Sequence, residues 1–400
     1  MSSARMTRKQ TRGRRGVGAG IRSVADMTSR LLVDTDAIAA NTRLFAILAP
    51  GELMAVVKAQ GYGAGAELVA RTALDSGATR LGVTSIAEAL ALRRAGIEAP
   101  ILSWLNPVDA DFEAALEHGI DLAVPGIAHL DAIRRAARTR RCPARVHLQL
   151  DCGLAREGCP AELWPQLLAV SAAAAAHGEL EVLGIMGHLS SADDPSDPAN
   201  RRERTRFAHA LRLARAVGLF VPLRHLAATS ATLTQPGARH SLCRVGAGLV
   251  GIDPTGTHRL RGALTLEAKI VDVRDVAAGT PVGYGHGWLA PRPTRLALVG
   301  AGYADGVPRT AGADAEVLVA GRRRRIVGRI SMDQFVVDLD GAHAAPGEYV
   351  TVFGPGDRGE PTFGDWASWC GTIPNEVVTG VGPRVERVPV TASVAVGAAR

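Results

Sequence analysis

The chain of 400 residues has few aromatic residues, few cysteines and no long apolar run. Phe, Trp and Tyr together make up 4% of it, which argues against a base-stacking surface for nucleic acid. A membrane span is excluded because no run of about eighteen apolar residues occurs. Five cysteines, an odd number without a C-x-x-C pair, predict reduced thiols in a cytoplasmic protein, and we expect no metal site.

Excess charge of one sign is confined to the N-terminus. The net charge is +7, and residues 1–25 hold seven basic residues and no acidic one. The rest of the chain has 39 basic and 39 acidic residues, so its body shows no basic footprint for nucleic acid. We predict that residues 1–28 form a disordered basic tail, and that neither nucleic acid nor a membrane is a partner.

From residue 29 onward, short apolar runs alternate with segments rich in Ala, Leu and Arg. The candidate strands are residues 53–57, 81–84, 101–104, 122–124, 146–150, 182–186, 225–228 and 242–245. Eight β-then-α units predict a (β/α)8 TIM-type barrel over residues 29–262. A doubly wound open sheet is the alternative, but no G-x-G-x-x-G follows the first strand.

After about residue 262 the pattern changes. Helical periodicity disappears, and short alternating segments separated by Gly and Pro replace it. The segments are residues 265–273, 294–299, 316–319, 335–339 and 349–353. We therefore predict a C-terminal all-β domain over residues 263–400 and an α/β chain in which a barrel precedes this domain.

Lysine is scarce, since three lysines occur beside 43 arginines. A genome that favours arginine codons explains the ratio, but a lysine that persists under that bias is a candidate for chemistry. Only lysine forms a Schiff base with an aldehyde. Lys9 lies in the tail and Lys269 in the predicted β-domain. Lys58 ends the first barrel strand beside a Gly-rich turn, where barrel active sites lie; a lysine extending from the rim into solvent is the alternative.

Six stretches, in order along the chain, resemble motifs of the alanine racemase family. They are residues 55–65, 151–156, 244–251, 282–285, 302–306 and 331–334. The resemblance extends over roughly residues 30–390. It implies a cofactor, pyridoxal 5'-phosphate, a small amino-acid substrate, and a homodimer with shared active sites.

The resemblance also implies roles for individual residues. Lys58 is expected to bind the cofactor and to act as one catalytic base, and Tyr284 of the partner subunit as the second base on the opposite face. Arg244 is expected to face the pyridine nitrogen without giving it a full proton. The expected cofactor contacts are Lys58, Tyr62, His188, Ser230, Arg244, Gly246 and Ala247. The expected substrate contacts are Arg156, Asn375, Tyr303 at the entrance, and Met332 and Asp333 of the partner subunit.

Some positions depart from the family's pattern and leave the substrate open. Asn375 replaces a tyrosine before Glu376, and Gln149 replaces a lysine that many relatives carbamylate. One interpretation is an enzyme that interconverts L- and D-alanine by a two-base mechanism and supplies D-alanine for cell-wall peptidoglycan. Another is a related racemase with a broader or different range, such as serine, in a specialised pathway. A cofactor-binding protein without turnover is disfavoured because Lys58 and Tyr284 are both present.

Overall fold

The computed structural model describes residues 28–391, so the predicted basic tail lies outside the described residues except for Thr28. The strands are β1 (Ser29–Asp34), β2 (Glu52–Val56), β3 (Arg80–Val83), β4 (Ile101–Ser103), β5 (Ile120–Val124), β6 (Ala144–Gln149), β7 (Leu180–Met186), β8 (Leu223–His225), β9 (Leu242–Val245), β10 (Leu264–Val276), β11 (Pro281–Val282), β12 (Trp288–Leu289), β13 (Thr294–Val299), β14 (Glu316–Val319), β15 (Arg322–Val327), β16 (Phe335–Asp338), β17 (Tyr349–Phe353) and β18 (Glu386–Val390). The helices are α1 (Thr35–Leu48), α2 (Lys58–Tyr62), α3 (Ala66–Leu74), α4 (Ile86–Arg94), α5 (Phe112–Glu117), α6 (Ile127–Arg140), α7 (Trp164–Ala176), α8 (Pro198–Ala216), α9 (Thr229–Thr234), α10 (Phe363–Cys370) and α11 (Pro374–Thr379).

Strands β2 to β9 form the predicted parallel barrel. They pair in the order β8-β7-β6-β5-β4-β3-β2-β9. The Arg244 N–H donates to Ala227 O at 3.0 Å, which joins β9 to the segment after β8 and closes the barrel. The strands are almost fully buried, as the near-continuous apolar runs predict for a sheet covered on both faces.

Several of the helices begin where a short polar side chain caps the first turn. Asp34 accepts a hydrogen bond from the Ala37 N–H at 2.9 Å and begins α1. Ser85 and Glu88 form a reciprocal capping box at the start of α4. Each such cap satisfies backbone donors that the helix itself leaves unpaired, so the helices begin at defined distances from the barrel strands.

The second sheet contains β1, which lies within the residue range predicted for the barrel. Its order is β13-β16-β15-β14-β17-β10-β1-β18. Strand β1 pairs antiparallel with β10 and parallel with β18. The first strand of the predicted barrel range thus joins the C-terminal sheet, a long-range pairing that local patterning does not encode.

Helices α10 and α11 add to the C-terminal domain, where the sequence pattern predicted strands alone. Thr362 and Asp365 form a capping box that begins α10. Helix α11 reaches the barrel mouth: a Cβ at Gly63 would lie 2.3 Å from Val378 O, so glycine is required for this approach. Arg387 Nε also donates to Gly63 O at 3.0 Å. Among residues 28–391, none of the helices combines the length and the apolar composition of a membrane span.

Candidate active site

A cavity of about 250 Å³ opens where the barrel strands end. Among the residues predicted for the site, those that line it are Lys58, Tyr62, Arg156, His188, Ser230, Arg244, Gly246, Ala247 and Asn375. The other lining residues are Val56, Trp104, Gln149, Glu157, Met186, Ala228, Thr229 and Pro254. A larger groove of about 510 Å³ lies on the C-terminal domain between Asp275 and His343, and no predicted site residue lines it. The smaller cavity is therefore the candidate active site.

Lys58 stands at the start of a left-handed turn. Residues 59–62 all have positive φ, between 50° and 62°. This conformation costs roughly 1–2 kcal/mol for each residue with a side chain, so neighbouring groups must hold it. Glu88 does so by accepting the Ala59 N–H at 2.8 Å. The turn keeps the backbone next to the lysine fixed in space, as strained segments at functional sites often do.

The surroundings of Lys58 weaken the binding of a proton to its amine. Burial lowers the pKa of Lys58, and the positive charge of Arg156 lowers it further, while Glu157 and Glu88 act in the opposite direction. A lower pKa leaves a larger fraction of the amine free to attack an aldehyde or to accept a proton.

Arg244 is held firmly in the wall of the cavity. It is 5% exposed, and its Nη1 and Nη2 atoms donate to His225 O at 2.8 Å and Gly187 O at 2.7 Å. Nη1 also lies 3.1 Å from His225 Nδ1, and Nη2 lies 3.2 Å from His188 Nδ1. Burial lowers the pKa of Arg244 to about 10, which leaves the guanidinium charged at neutral pH.

These contacts fix the protonation of His188. Because arginine only donates, the Nδ1 atom of His188 must accept, and its Nε2 atom carries the proton. Burial, followed by the charges of Arg244, Arg156 and Lys58, lowers the pKa of His188 to about 3. His188 therefore contributes a neutral ring with one defined N–H donor to the cavity.

Hydroxyl and backbone N–H groups collect at another part of the cavity wall. Tyr62 packs against Gly246 so closely that a Cβ there would lie 2.5 Å from its ring. Burial raises the pKa of Tyr62 to about 12, although a hydrogen bond with the Ala247 backbone opposes that rise. Ser230 lies in the first turn of α9 and also lines the cavity. Neutral donors of this kind suit the phosphate of a bound cofactor.

Arg156 and Gln149 lie in a part of the cavity wall where polar groups have fewer hydrogen-bond partners. Arg156 Nη2 pairs with Glu157 Oε1 at 2.9 Å, and the arginine side chain remains 61% exposed. Gln149 is buried, and its Oε1 atom has no hydrogen-bond partner among residues 28–391. Sequence reasoning did not select Glu157 or Trp104. For Glu157 the signal was its place beside Arg156, and for Trp104 it was an aromatic residue at a strand end.

The remaining predicted residues lie outside this cavity, on the surface of the C-terminal domain. Tyr284 is 69%, Met332 52% and Tyr303 43% exposed, and the Asp333 side chain is 63% exposed. None of the four lines the cavity of its own chain. The structure thus brings together nine of the predicted site residues in one cavity and leaves these four outside it.

The family of the chain follows from comparison with known proteins. The family model "Alanine racemase, N-terminal domain" matches residues 33–254, and "Alanine racemase, C-terminal domain" matches residues 263–389. The chain belongs to the alanine racemase family. It is 46% identical to the alanine racemase of Thermobifida fusca over 360 residues, 89% of this chain and 96% of that protein. It is 44% identical to that of Mycolicibacterium smegmatis over 366 residues, 90% and 94% of the two chains.

Solved structures of this racemase family have the same architecture. The alanine racemase of the D-cycloserine producer Streptomyces lavendulae has a TM-score of 0.89 at 41% identity, covering 92% of this chain and 98% of that chain. The Bartonella henselae alanine racemase, solved with covalently bound pyridoxal phosphate, has a TM-score of 0.82 at 28% identity, covering 91% and 99%. The predicted family, fold class, cofactor and enzyme class, a pyridoxal-phosphate-dependent racemase, are confirmed.

Proposed function

We propose that this racemase interconverts L- and D-alanine with Lys58 and Tyr284 of the partner subunit as its two bases. The observation that carries the proposal is the placement of Lys58, with its lowered pKa, in the same cavity as the buried Arg244. We place the enzyme in the cytoplasm, where the D-alanine that it makes would supply cell-wall synthesis.

The cavity fits pyridoxal phosphate. An amine, a fixed guanidinium and a group of neutral donors line one space of about 250 Å³. We assign the aldehyde carbon to Lys58, the ring nitrogen to Arg244, and the phosphate to Tyr62, Ser230 and the backbone of Gly246 and Ala247. When bound, the cofactor withdraws electrons and makes the α-proton of an attached amino acid more acidic.

The chain's own residues then hold and move protons. In one direction of the reaction, Nζ of Lys58 would accept the α-proton on its face, and Tyr284 of the partner subunit would donate a proton to the opposite face; in the other direction the two residues exchange roles. Arg244 cannot protonate the ring fully, because even its lowered pKa of about 10 keeps the proton on the guanidinium at neutral pH. Arg156 is the candidate for binding the substrate carboxylate, since its side chain is partly exposed at the cavity wall.

The second base has to come from outside this chain. Tyr284 sits in a short 3-10 helix, Tyr284–His286. Its neighbours Gly283 and Gly285 have φ of 74° and 73°, and this kink is open only to glycine at low cost. The exposure of Tyr284, together with that of Tyr303, Met332 and Asp333, supports a homodimer in which each subunit completes the other's site.

Asn375 favours a second candidate, a racemase that also accepts serine. Its Oδ1 atom is buried at the cavity wall and has no hydrogen-bond partner within residues 28–391. An unpaired amide oxygen can accept a hydrogen bond from a substrate hydroxyl, which alanine lacks.

Racemisation in D₂O tests the proposal. Purified protein with pyridoxal phosphate should convert L-alanine to a mixture of both enantiomers. With two bases, newly formed D-alanine carries solvent deuterium at its α-carbon, since the proton removed on one face is not the one added on the other. Failure to racemise alanine would refute the proposed activity, and product that retains the substrate proton would refute the two-base mechanism.

A further inference from the structure

A line of polar side chains runs through the barrel interior behind Arg244. Nη1 of Arg244 lies 3.1 Å from His225 Nδ1, and His225 Nε2 lies 2.8 Å from His147 Nδ1. Both histidines are fully buried, and their rings meet edge to face with centroids 5.0 Å apart. At the far end, His147 Nε2 lies 3.9 Å from Asp121 Oδ2.

The chemistry of arginine sets the direction of every contact in this line. Arg244 only donates, so His225 Nδ1 accepts and His225 Nε2 carries the proton. That N–H donates to His147 Nδ1, and His147 Nε2 in turn carries a proton directed at Asp121. Burial and nearby arginines lower the pKa of His147 to about 3, and burial lowers that of His225 well below its usual value. Both rings are neutral, as the line requires.

The far end of the line is anchored by charge. Asp121 is 1% exposed, and Arg145 Nε donates to its Oδ1 at 2.6 Å. Arg80 Nη1 lies 3.7 Å from Oδ2 of the same carboxylate. The separation of 3.9 Å from His147 is an electrostatic contact rather than a hydrogen bond. It orients the His147 N–H and disfavours the opposite tautomer, whose Nε2 lone pair would face the carboxylate.

The neighbouring strand residues leave space for the two histidine rings. A Cβ at position 184 would lie 2.3 Å from His147 Nδ1, so Gly184 leaves the space that the imidazole occupies. Beside these polar groups, apolar residues from facing strands of the barrel form one separate cluster. The cluster comprises Met54, Leu102, Ala123, Met186, Leu223 and Leu242. Branched apolar side chains normally fill such an interior, so two histidines that end on Arg244 point to a role at the site.

We propose that His147 is a positioning residue for Arg244, acting through His225. Its Nδ1 atom holds the His225 N–H, which keeps the other nitrogen of His225 facing the guanidinium. Without that acceptor, the His225 donor is left buried and unpaired, at a cost that ring rotation or a tautomer change relieves. Either change turns a donor toward Arg244 and displaces it. The inference rests on the proposed function, in which Arg244 faces the cofactor ring.

Three substitutions of His147 separate positioning from packing. His147→Leu keeps bulk and removes the acceptor. His147→Asn places an amide oxygen where Nδ1 lay, and His147→Gln carries its amide further out, away from His225. Leu102→Met, in the apolar cluster of the same interior, is the control for a volume-conserving change. Each holoenzyme is compared for kcat, KM, melting temperature, and the absorption spectrum of bound pyridoxal phosphate across pH.

We expect His147→Leu and His147→Gln to lower kcat by roughly 10- to 100-fold, the scale on which displaced catalytic groups act. KM should stay within about twofold, and the cofactor spectrum or its pH dependence should shift. His147→Asn should return kcat to within about threefold of wild type, and Leu102→Met should change neither kcat nor spectrum.

Equal kcat and equal spectra for His147→Asn and His147→Gln would overturn the inference. So would His147 variants that have a lower melting temperature but an unchanged kcat and an unchanged cofactor spectrum. This pair decides the matter even where His147→Leu does not fold. A wild-type protein that neither binds pyridoxal phosphate nor racemises alanine would refute the proposed function instead. The two failures are therefore distinguishable.

Discussion

The cavity of the barrel and the exposed face of the C-terminal domain differ in how complete they are. In the cavity, Arg244 is 5% exposed and its donors meet four acceptors within 3.2 Å. On the C-terminal domain, Tyr284 and Met332 are 69% and 52% exposed. The barrel thus assembles the groups expected to hold a cofactor. The exposed face of the C-terminal domain presents side chains that do not reach the cavity of their own chain.

This exposed face is nevertheless firmly built. Arg384 donates to Asp305 at 2.6 and 2.9 Å and pairs with Asp333 at 2.8 Å. Asp305 in turn accepts the Gly302 N–H at 2.8 Å, which fixes the loop that carries Tyr303. A face held in this way while remaining exposed suits docking against a second subunit.

Removing Lys58 should give the largest effect, because among residues 28–391 it is the one lysine that lines the barrel cavity. We expect Lys58→Ala to lower kcat by at least about 1,000-fold and to abolish the visible absorption band of the bound cofactor. Lys269→Ala is the matched control and should retain both. Borohydride reduction of the wild-type holoenzyme that labels Lys269, or no lysine at all, would overturn the assignment of Lys58.

Removing the hydroxyl of Tyr284 from the exposed face should lower turnover nearly as much but leave cofactor binding in the cavity intact. Tyr284→Phe is expected to lower kcat by about 100- to 10,000-fold, the range of general acid–base catalysis. Cofactor affinity and the absorption band should persist. Tyr349→Phe, a tyrosine that stacks with Arg30 at 3.9 Å away from the site, should leave kcat unchanged. A fully active Tyr284→Phe enzyme would contradict the proposal that the exposed face supplies the second base.

Acid should destabilise the barrel through its buried histidines. His147 has a pKa of about 3 in the folded state and about 6.5 when unfolded. The unfolded state therefore takes up the proton first, and the stability contributed by the neutral ring is present above pH 6.5 and lost as the pH falls toward 3. Between pH 7.5 and 5.5, His147 should account for about 1.4 kcal/mol of lost unfolding free energy.

Urea unfolding at a fixed protein concentration checks this expectation. His147→Asn removes the titrating group, so its unfolding free energy should depend less on pH by that amount. Identical pH dependence of the wild type and the variant would show that the ring does not stay neutral in the folded state.

The smallest expected effect concerns the one site residue contributed to the cavity by the C-terminal domain. Asn375→Tyr should raise the ratio of kcat/KM for alanine to that for serine by about tenfold, within the 1–3 kcal/mol that a pocket gains from one small group. Thr379→Ser, on the same helix α11, is the control and should leave the ratio unchanged. A wild-type enzyme already strict for alanine would rule out Asn375 as the specificity determinant.

Much of the fold was predictable because its signals are local. The apolar runs of β2 to β9 and the scarcity of lysine located the barrel and its reactive end. Sheet membership of β1 was not predictable, since its pairing with β10 joins residues more than 200 positions apart. Helix α10 carried a usable signal, the Thr362 capping box, within a region that otherwise alternates like strands.

The site was predictable where residues follow a motif and obscure where they lie inside a strand. Lys58 and Arg244 stand in recognisable stretches. His147 and His225 lie in runs that the sequence indicates only as buried strands, and their contact requires the barrel to close. Trp104 enters the cavity from the end of the third barrel strand for the same reason.

The central claim is that one active site draws on two subunits, and mixing two inactive variants tests it most directly. Lys58→Ala and Tyr284→Phe are combined in equal amounts under conditions that allow subunit exchange, and hybrid dimers are verified by native mass spectrometry of differently tagged chains. Each hybrid contains one intact site, so random exchange should restore about a quarter of wild-type kcat per subunit. Verified hybrids without recovered activity would contradict a site shared between subunits.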